Sequence, residues 1–237
     1  MQNRYACDVG DFGKFGLLRS LSWSGLVVGL NWYLVPDENH NADGKHISYL
    51  SDPKFSGCDD TLLNALKSIV GKERSVAAIE RLRLISGAEY YSEVLSSPVV
   101  RAAWHRDAMQ CLRDCDIVFL DPDNGVLVKS VGASSSKSIK YVLREEIADY
   151  YASGKSVVFY NHRSREQEQV YLKRFDWLRT EARLSGASLF GLKFARGTIR
   201  DYFFIVKPEH CSRVYYAMEG LLSSTWQRHF SKLDIAD

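Results

Sequence analysis

The sequence has no apolar run approaching the roughly 20 residues needed to cross a bilayer, which excludes a helical membrane span. Its opening residues, MQNRYACDVGDFGK, lack a basic start followed by an apolar stretch, so no secretory leader is expected. Cysteine is sparse: there are five, at positions 7, 58, 111, 115 and 211, an odd number that argues against a disulfide framework. Cys111 and Cys115 stand four apart, but no second pair or Cys/His cluster completes a zinc site. They read as small apolar packing residues of a reducing, cytoplasmic compartment. Charge of one sign is not in excess either. With 31 Lys and Arg against 29 Asp and Glu, the formal net charge is +2, so only a local basic patch could attract phosphates. No internal repeat is visible, and the serine-rich run 134–138 is the only low-complexity stretch.

What is present suits one globular domain spanning residues 1–237. Hydrophobic residues make up 46% and charged residues 25%, and the length allows a large core with one modest insertion. Phe15–Trp23 carries a helical apolar spacing, and Leu26–Val35 reads as a buried strand ending in the polar segment Pro36–Gly44. Asp59–Arg83 reads as two helices broken near Gly71, Ile85–Leu95 as a strand and Val99–Leu112 as a helix. The stretch of about 50–98 is thus expected to be a helical insertion. Asp116–Leu120 is a hydrophobic strand, Tyr141–Tyr151 a helix stopped near Gly154, Ser156–Tyr160 another strand, and Val170–Leu184 helical. Two last strands, Ser188–Phe194 and Asp201–Val206, are joined by Ala195–Arg200 and predict an antiparallel edge hairpin. Alternation of this kind implies an α/β protein with a mainly parallel sheet.

Ligands of such sheets bind outside the carboxyl ends of the strands. Three strands here end in polar text: Pro36-Asp37-Glu38-Asn39-His40, Asp121-Pro122-Asp123-Asn124 and Asn161-His162-Arg163. Asp121 follows four apolar residues, so its carboxylate starts at the edge of the core, where an unpaired charge costs several kcal/mol and demands a partner. Asp-Asn-Gly is also a good turn in its own right. Asp37, Glu38 and Asp43 can hydrogen-bond ribose hydroxyls or hold a divalent ion, or form a solvated loop. His162, Arg163 and Arg165 can contact phosphate, or cap a helix. Lys193, Arg196 and Arg200 read as a charged edge that blocks strand pairing. In Asp8–Lys14, capping by Asp11 explains one residue but neither Gly10, Gly13 nor Lys14.

The order of these features resembles the Rossmann-fold methyltransferases that methylate the exocyclic amine of adenine, particularly those acting on large-subunit ribosomal RNA. Gly10-Asp11-Phe12-Gly13-Lys14 stands where that family has a glycine-containing segment with a lysine, and Leu30–Gly44 where it has its cofactor loop. Phe119-Leu120-Asp121-Pro122-Asp123-Asn124 stands where it has Asp-Pro-Pro-Tyr. Lys140–Tyr160 and Phe203–Pro208 match the next helix and strand and the closing hairpin. The resemblance implies a three-layer Rossmann-like methyltransferase fold with a C-terminal antiparallel hairpin. It implies S-adenosylmethionine as cofactor, lined by Lys14, Asp37, Glu38, Asp43 and Gly44, and a nucleic-acid or nucleotide amine as substrate. Asp121, with Asp123 and Asn124, would orient that amine, and Asp11, His162, Arg163 and Arg165 would hold the substrate. Two departures stand out. No glycine occurs between Val35 and Gly44, and the stacking aromatic, worth about 1–3 kcal/mol per base, is absent. They leave two alternatives open: a metal-dependent nuclease or hydrolase using Asp37, Glu38, Asp121, Asp123 and His162, and a non-catalytic binding module.

Overall fold

The computed structural model describes residues 1–38, 44 and 46–235. Helix α1 spans Val9–Trp23 and begins at Asp8, whose carboxylate accepts the N–H groups of Gly10 (2.7 Å) and Asp11 (3.1 Å). It therefore starts at Val9 rather than Phe15, and Asp8 rather than Asp11 is the cap. Gly10, Gly13 and Gly16 conceal the helical pattern because each is a contact point. A Cβ at these positions would lie 2.3 Å from the Arg200 guanidinium, 2.6 Å from the Phe194 ring and 2.4 Å from the Trp226 ring. Glycine costs about 1 kcal/mol within a helix, and close packing offsets that here.

Among the described residues the strands are β1 (Val28–Asn31), β2 (Glu89–Tyr91), β3 (Ile117–Leu120), β4 (Gly125–Val126), β5 (Tyr141–Val142), β6 (Ser156–His162), β7 (Ser188–Arg196), β8 (Thr198–Val206) and β9 (Phe230–Lys232). The further helices are α2 (Asp60–Val70), α3 (Val76–Arg81), α4 (Arg101–Cys111), α5 (Arg144–Ala152), α6 (Glu168–Leu172), α7 (Trp177–Thr180) and α8 (Cys211–Ser223). Seven strands form the main sheet in the order β2-β1-β3-β6-β8-β7-β9. β2, β1, β3, β6 and β7 run one way, and β8 and β9 run the other.

Successive strand residues face opposite layers, as the two-residue period requires. Phe119 joins Phe12, Leu62 and Met218 in the core beneath α1, α2 and α8, while Val118 and Leu120 join Trp104, Ile147 and Phe175 beneath α4, α5 and α6. Two helical layers therefore enclose one sheet, which is a Rossmann-like α/β fold. The chain passes from β1 to β2 on one side, then crosses to β3 on the other, so the topological switch lies between β1 and β3.

Several elements differ from expectation. Only Val28–Asn31 of the run Leu26–Val35 is strand; Trp32 leaves it, and Tyr33 has φ +45°. The strand expected within Ile85–Leu95 is narrower, Glu89–Tyr91, and pairs with β1 as an edge of the main sheet, so the segment of about 50–98 holds a sheet strand beside α2 and α3. Tyr141 and Val142 pair with Gly125 and Val126, which delays α5 to Arg144. Val170–Leu184 is broken into short helical turns around Asp176. The β7–β8 hairpin turns at Gly197, which has φ +68°, and is not at the edge: β8 lies between β6 and β7, and β9 covers β7. The strand β9 follows α8, which packs against α1, and its Phe230 ring lies 5.0 Å from that of Phe194. Cys7 and Cys115 are buried, but Cys111 is exposed, with its thiol 3.5 Å from the Tyr90 carbonyl of β2. Among the described residues no helix is long and apolar enough to cross a membrane.

Candidate functional site

The carboxyl ends of β3 and β6 and the segment beyond β1 open onto one groove of about 510 Å³, closed on its far side by the N-terminal turns of α1 and by β8. Asp121 stands where β3 stops, its N–H held by the carbonyl of Asn31 at 3.0 Å. Its carboxylate accepts from Lys14 Nζ at 2.7 Å, and the same ammonium lies 2.6 Å from Asp11 and 4.6 Å from the centre of the Trp32 ring. All three charged side chains are buried. Burial raises the Asp121 and Asp11 carboxyls above their ordinary range, against the pull of Lys14. Burial alone would lower the Lys14 ammonium, but the two carboxylates outweigh it and hold its pKa above the usual value. Lys14 is thus the shared cation of the two carboxylates.

The other charges are paired as well. Arg200 reaches Asp8 at 3.2 Å, Glu38 contacts Lys140, and Asp123 accepts from Gln2 Nε2 at 2.6 Å. The Met1 nitrogen lies 2.8 Å from Asp123 and donates to the carbonyls of Tyr33 (2.8 Å) and Asp121 (3.1 Å). Tyr160 and Tyr202 add a wall, and the Tyr160 hydroxyl lies 3.2 Å from His162 Nδ1. Burial, with Arg200 nearby, lowers the His162 pKa and favours the neutral ring.

The Asp121–Gly125 turn is fixed from β6. The side-chain oxygen of Asn161 accepts the Val126 N–H at 2.9 Å, and Asn161 donates to the Tyr171 hydroxyl at 2.8 Å. Gly125 has φ +102°, and a Cβ there would sit 1.9 Å from that Asn161 oxygen. Glycine is required on both counts. The turn leaves Asn124 exposed, and its side-chain amide has no hydrogen-bond partner among the described residues.

Of the residues singled out in the sequence, Asp11, Lys14, Glu38, Asp121, Asp123, Asn124 and His162 line this groove. Four others do not. Asp37 is exposed and faces the Arg4 N–H at 3.4 Å, and Gly44 packs against the Arg4 backbone with its carbonyl accepting from Arg74 at 2.6 Å. Arg163 follows directly after His162, the last residue of β6, and faces the opposite layer, where it forms a two-pronged pair with Asp201 at 2.7 Å and contacts Glu168. Arg165 is exposed beyond the groove. Asp43, Asn39 and His40 lie outside the described residues. Arg200, expected on a solvated edge, is instead buried against Asp8 because β8 is an inner strand. Its neighbours Lys193 and Arg196 pair with Glu168 (3.2 Å) and with the His229 ring (2.6 Å). Sequence reasoning missed Asp8, Lys140, Tyr160 and Arg200. The alternation Thr198, Arg200, Tyr202 carried the signal, since all three line the groove from one face of β8.

Among the described residues no group of three or more His, Cys, Asp or Glu side chains is placed to share a metal ion. Lys14 stands between Asp11 and Asp121, where an ion would otherwise bridge them.

Fold and groove together define a Rossmann-like α/β protein with a polar pocket beside its topological switch. The chain is similar to a crystal structure of a Legionella pneumophila protein of the family DUF519, at 11% identity over 95% of each chain and a TM-score of 0.44, a likeness that carries no argument here. No family model matches the chain. No curated protein matches it either.

Proposed function

We propose that the groove binds the amine-bearing base of a nucleotide or nucleic acid, in a methyltransferase-like protein whose cofactor position is filled by its own chain. The observation that carries this reading is the exposed Asn124 amide, unpaired among the described residues, in a groove whose acids and bases are paired with one another. One amide offers a donor beside an acceptor, the arrangement that pairs with the amine and ring nitrogen of adenine. Asp121 and Asp123 add acceptors at the same strand end for an amine proton.

The packing of residues 32–35 speaks against S-adenosylmethionine directly after β1, while residues 39–43 of the expected cofactor loop lie outside the described residues. The backbone beyond β1 is already engaged: Trp32 N–H donates to Tyr91 (3.2 Å), Tyr33 N–H to the Asn31 side chain (3.1 Å) and Val35 N–H to Met1 (2.9 Å), and the Leu34 carbonyl accepts from Leu95 (2.7 Å). The side chains of Trp32, Tyr33 and Val35 are buried, and no glycine opens the turn.

A methyltransferase remains the second reading, favoured by Asp121-Pro122-Asp123-Asn124 ending the strand next to the switch. Calorimetry separates the two. Adenosine monophosphate is expected to give heat that Asn124→Ala removes, while millimolar S-adenosylmethionine gives none. Heat with S-adenosylmethionine, together with methylation of an adenine amine, would promote the second reading over the first. Absence of heat with either ligand overturns both.

A further inference from the structure

Beside the polar groove lies a second one of about 800 Å³, and Asn124 and His162 line both. The two differ in charge. The first is walled by alternating acids and bases. The charged residues of the second are Lys129, Arg144, Lys173 and Arg174, all cationic and all exposed. Arg174 contacts Glu166, and Arg144 lies 4.9 Å from the centre of the Trp177 ring. Lys129 and Lys173 have no ion-pair partner among the described residues. In the same wall, the Trp177 indole N–H is buried without a hydrogen-bond acceptor.

Like charges gathered in one channel repel one another, and among the described residues only Arg174 of the four has an acidic partner, Glu166. An anion running along the channel answers Lys129 and Lys173, which have no ion-pair partner among the described residues, and lies beside Arg144 and Arg174. Continuity with the first groove narrows its identity, because the occupant must be anionic at one end and neutral, with donors and acceptors, at the other. A nucleotide has this polarity. An acidic peptide does not, since it would bring carboxylates towards Asp121 and Asp123. The base must also stand free of a duplex to reach Asn124, which points to a single strand.

We propose that the second groove holds the phosphodiester backbone of a single-stranded nucleic acid whose base enters the first groove. This rests on the base-binding reading given above and names its substrate class. Lys129 and Lys173 are the cations most available to phosphate, and both are exposed, so replacing them leaves the core intact.

The test is fluorescence anisotropy of a labelled ten-nucleotide strand, as RNA and as DNA, on the full chain between about 50 and 200 mM salt. Lys129→Gln combined with Lys173→Gln is expected to weaken binding several-fold with an unchanged melting temperature. The slope of log affinity against log salt should fall in magnitude by about 1.4, since each phosphate contact on a single strand contributes about 0.7. Such a change with either strand supports the proposal, and the difference between the two arms identifies the preferred sugar. Unchanged affinity and slope, or equal binding of a polyglutamate peptide of matching charge, overturn it. If adenosine monophosphate still gives heat in that case, the backbone path alone has failed. If the strand responds to the lysines but not to Asn124→Ala, the base-binding reading alone has failed.

Discussion

At both ends of the central sheet, acids, bases and hydroxyls meet, but only one end has access. At the amino end, Ser156 Oγ lies 2.9 Å from His210 Nδ1, and His210 Nε2 lies 3.7 Å from Asp116. These are the residue types of a hydrolase triad. Yet Ser156 has no exposed surface, and its hydroxyl already accepts the Lys207 N–H at 2.9 Å. Asp116 is likewise engaged, by the Val27 N–H at 2.9 Å and by Arg213 at 3.5 Å. The array ties the starts of β3 and β6 to the segment after β8. At the carboxyl end the Asp11–Lys14–Asp121 cluster is just as buried but forms the floor of an open groove. Side-chain chemistry nominates a site; a path for a ligand decides it.

The largest effect expected at the carboxyl end comes from Lys14→Met, which leaves Asp11 and Asp121 without their shared cation. Urea unfolding should show a loss of about 3–5 kcal/mol. A loss below about 1 kcal/mol would mean that the two carboxyls share a proton instead. Next comes Gly125→Ala, expected to cost about 1–3 kcal/mol through its left-handed backbone and to weaken nucleotide binding by displacing Asn161 and the turn. Ser156→Ala should cost about 1–2 kcal/mol by unpairing buried groups, with nucleotide affinity unchanged. A fall in that affinity would break the distinction between the two ends.

Acid sharpens the same contrast. Burial lowers the His210 pKa below its ordinary 6.5, although Asp116 partly opposes it. A depressed folded-state pKa stabilises the fold fully above pH 6.5, and that contribution is lost as pH falls through the folded value. Stability measured across that range should decline less in His210→Gln, and an unaltered decline would assign the effect to His162 and His229, which are shifted the same way. The smallest effect is that of Arg165→Ala, within about 0.5 kcal/mol in stability and without change in nucleotide binding.

The sequence made the alternation of elements legible because β3 and β6 are short apolar runs with abrupt polar ends. It also placed Asp121, Glu38 and His162 together, since strand ends on one edge of a sheet share one rim. It concealed the start of α1, where glycines serve contact rather than turns, and the paired role of Arg200, which depends on an inner strand formed late in the chain. Arg163 shows the limit most plainly. It is the first residue beyond β6, one step after His162, and its side chain turns to the other layer, onto Asp201.

The Asp8–Arg200 pair joins positions 192 apart in the chain. The two facing walls of the groove, the first turn of α1 and the strand β8, therefore come from segments far apart in the chain and meet only when a long-range contact is closed. Pairing of β7 with β8 across the single turn at Gly197 is local and fast by comparison, so docking of that hairpin against α1 is the step expected to limit how quickly the groove takes shape.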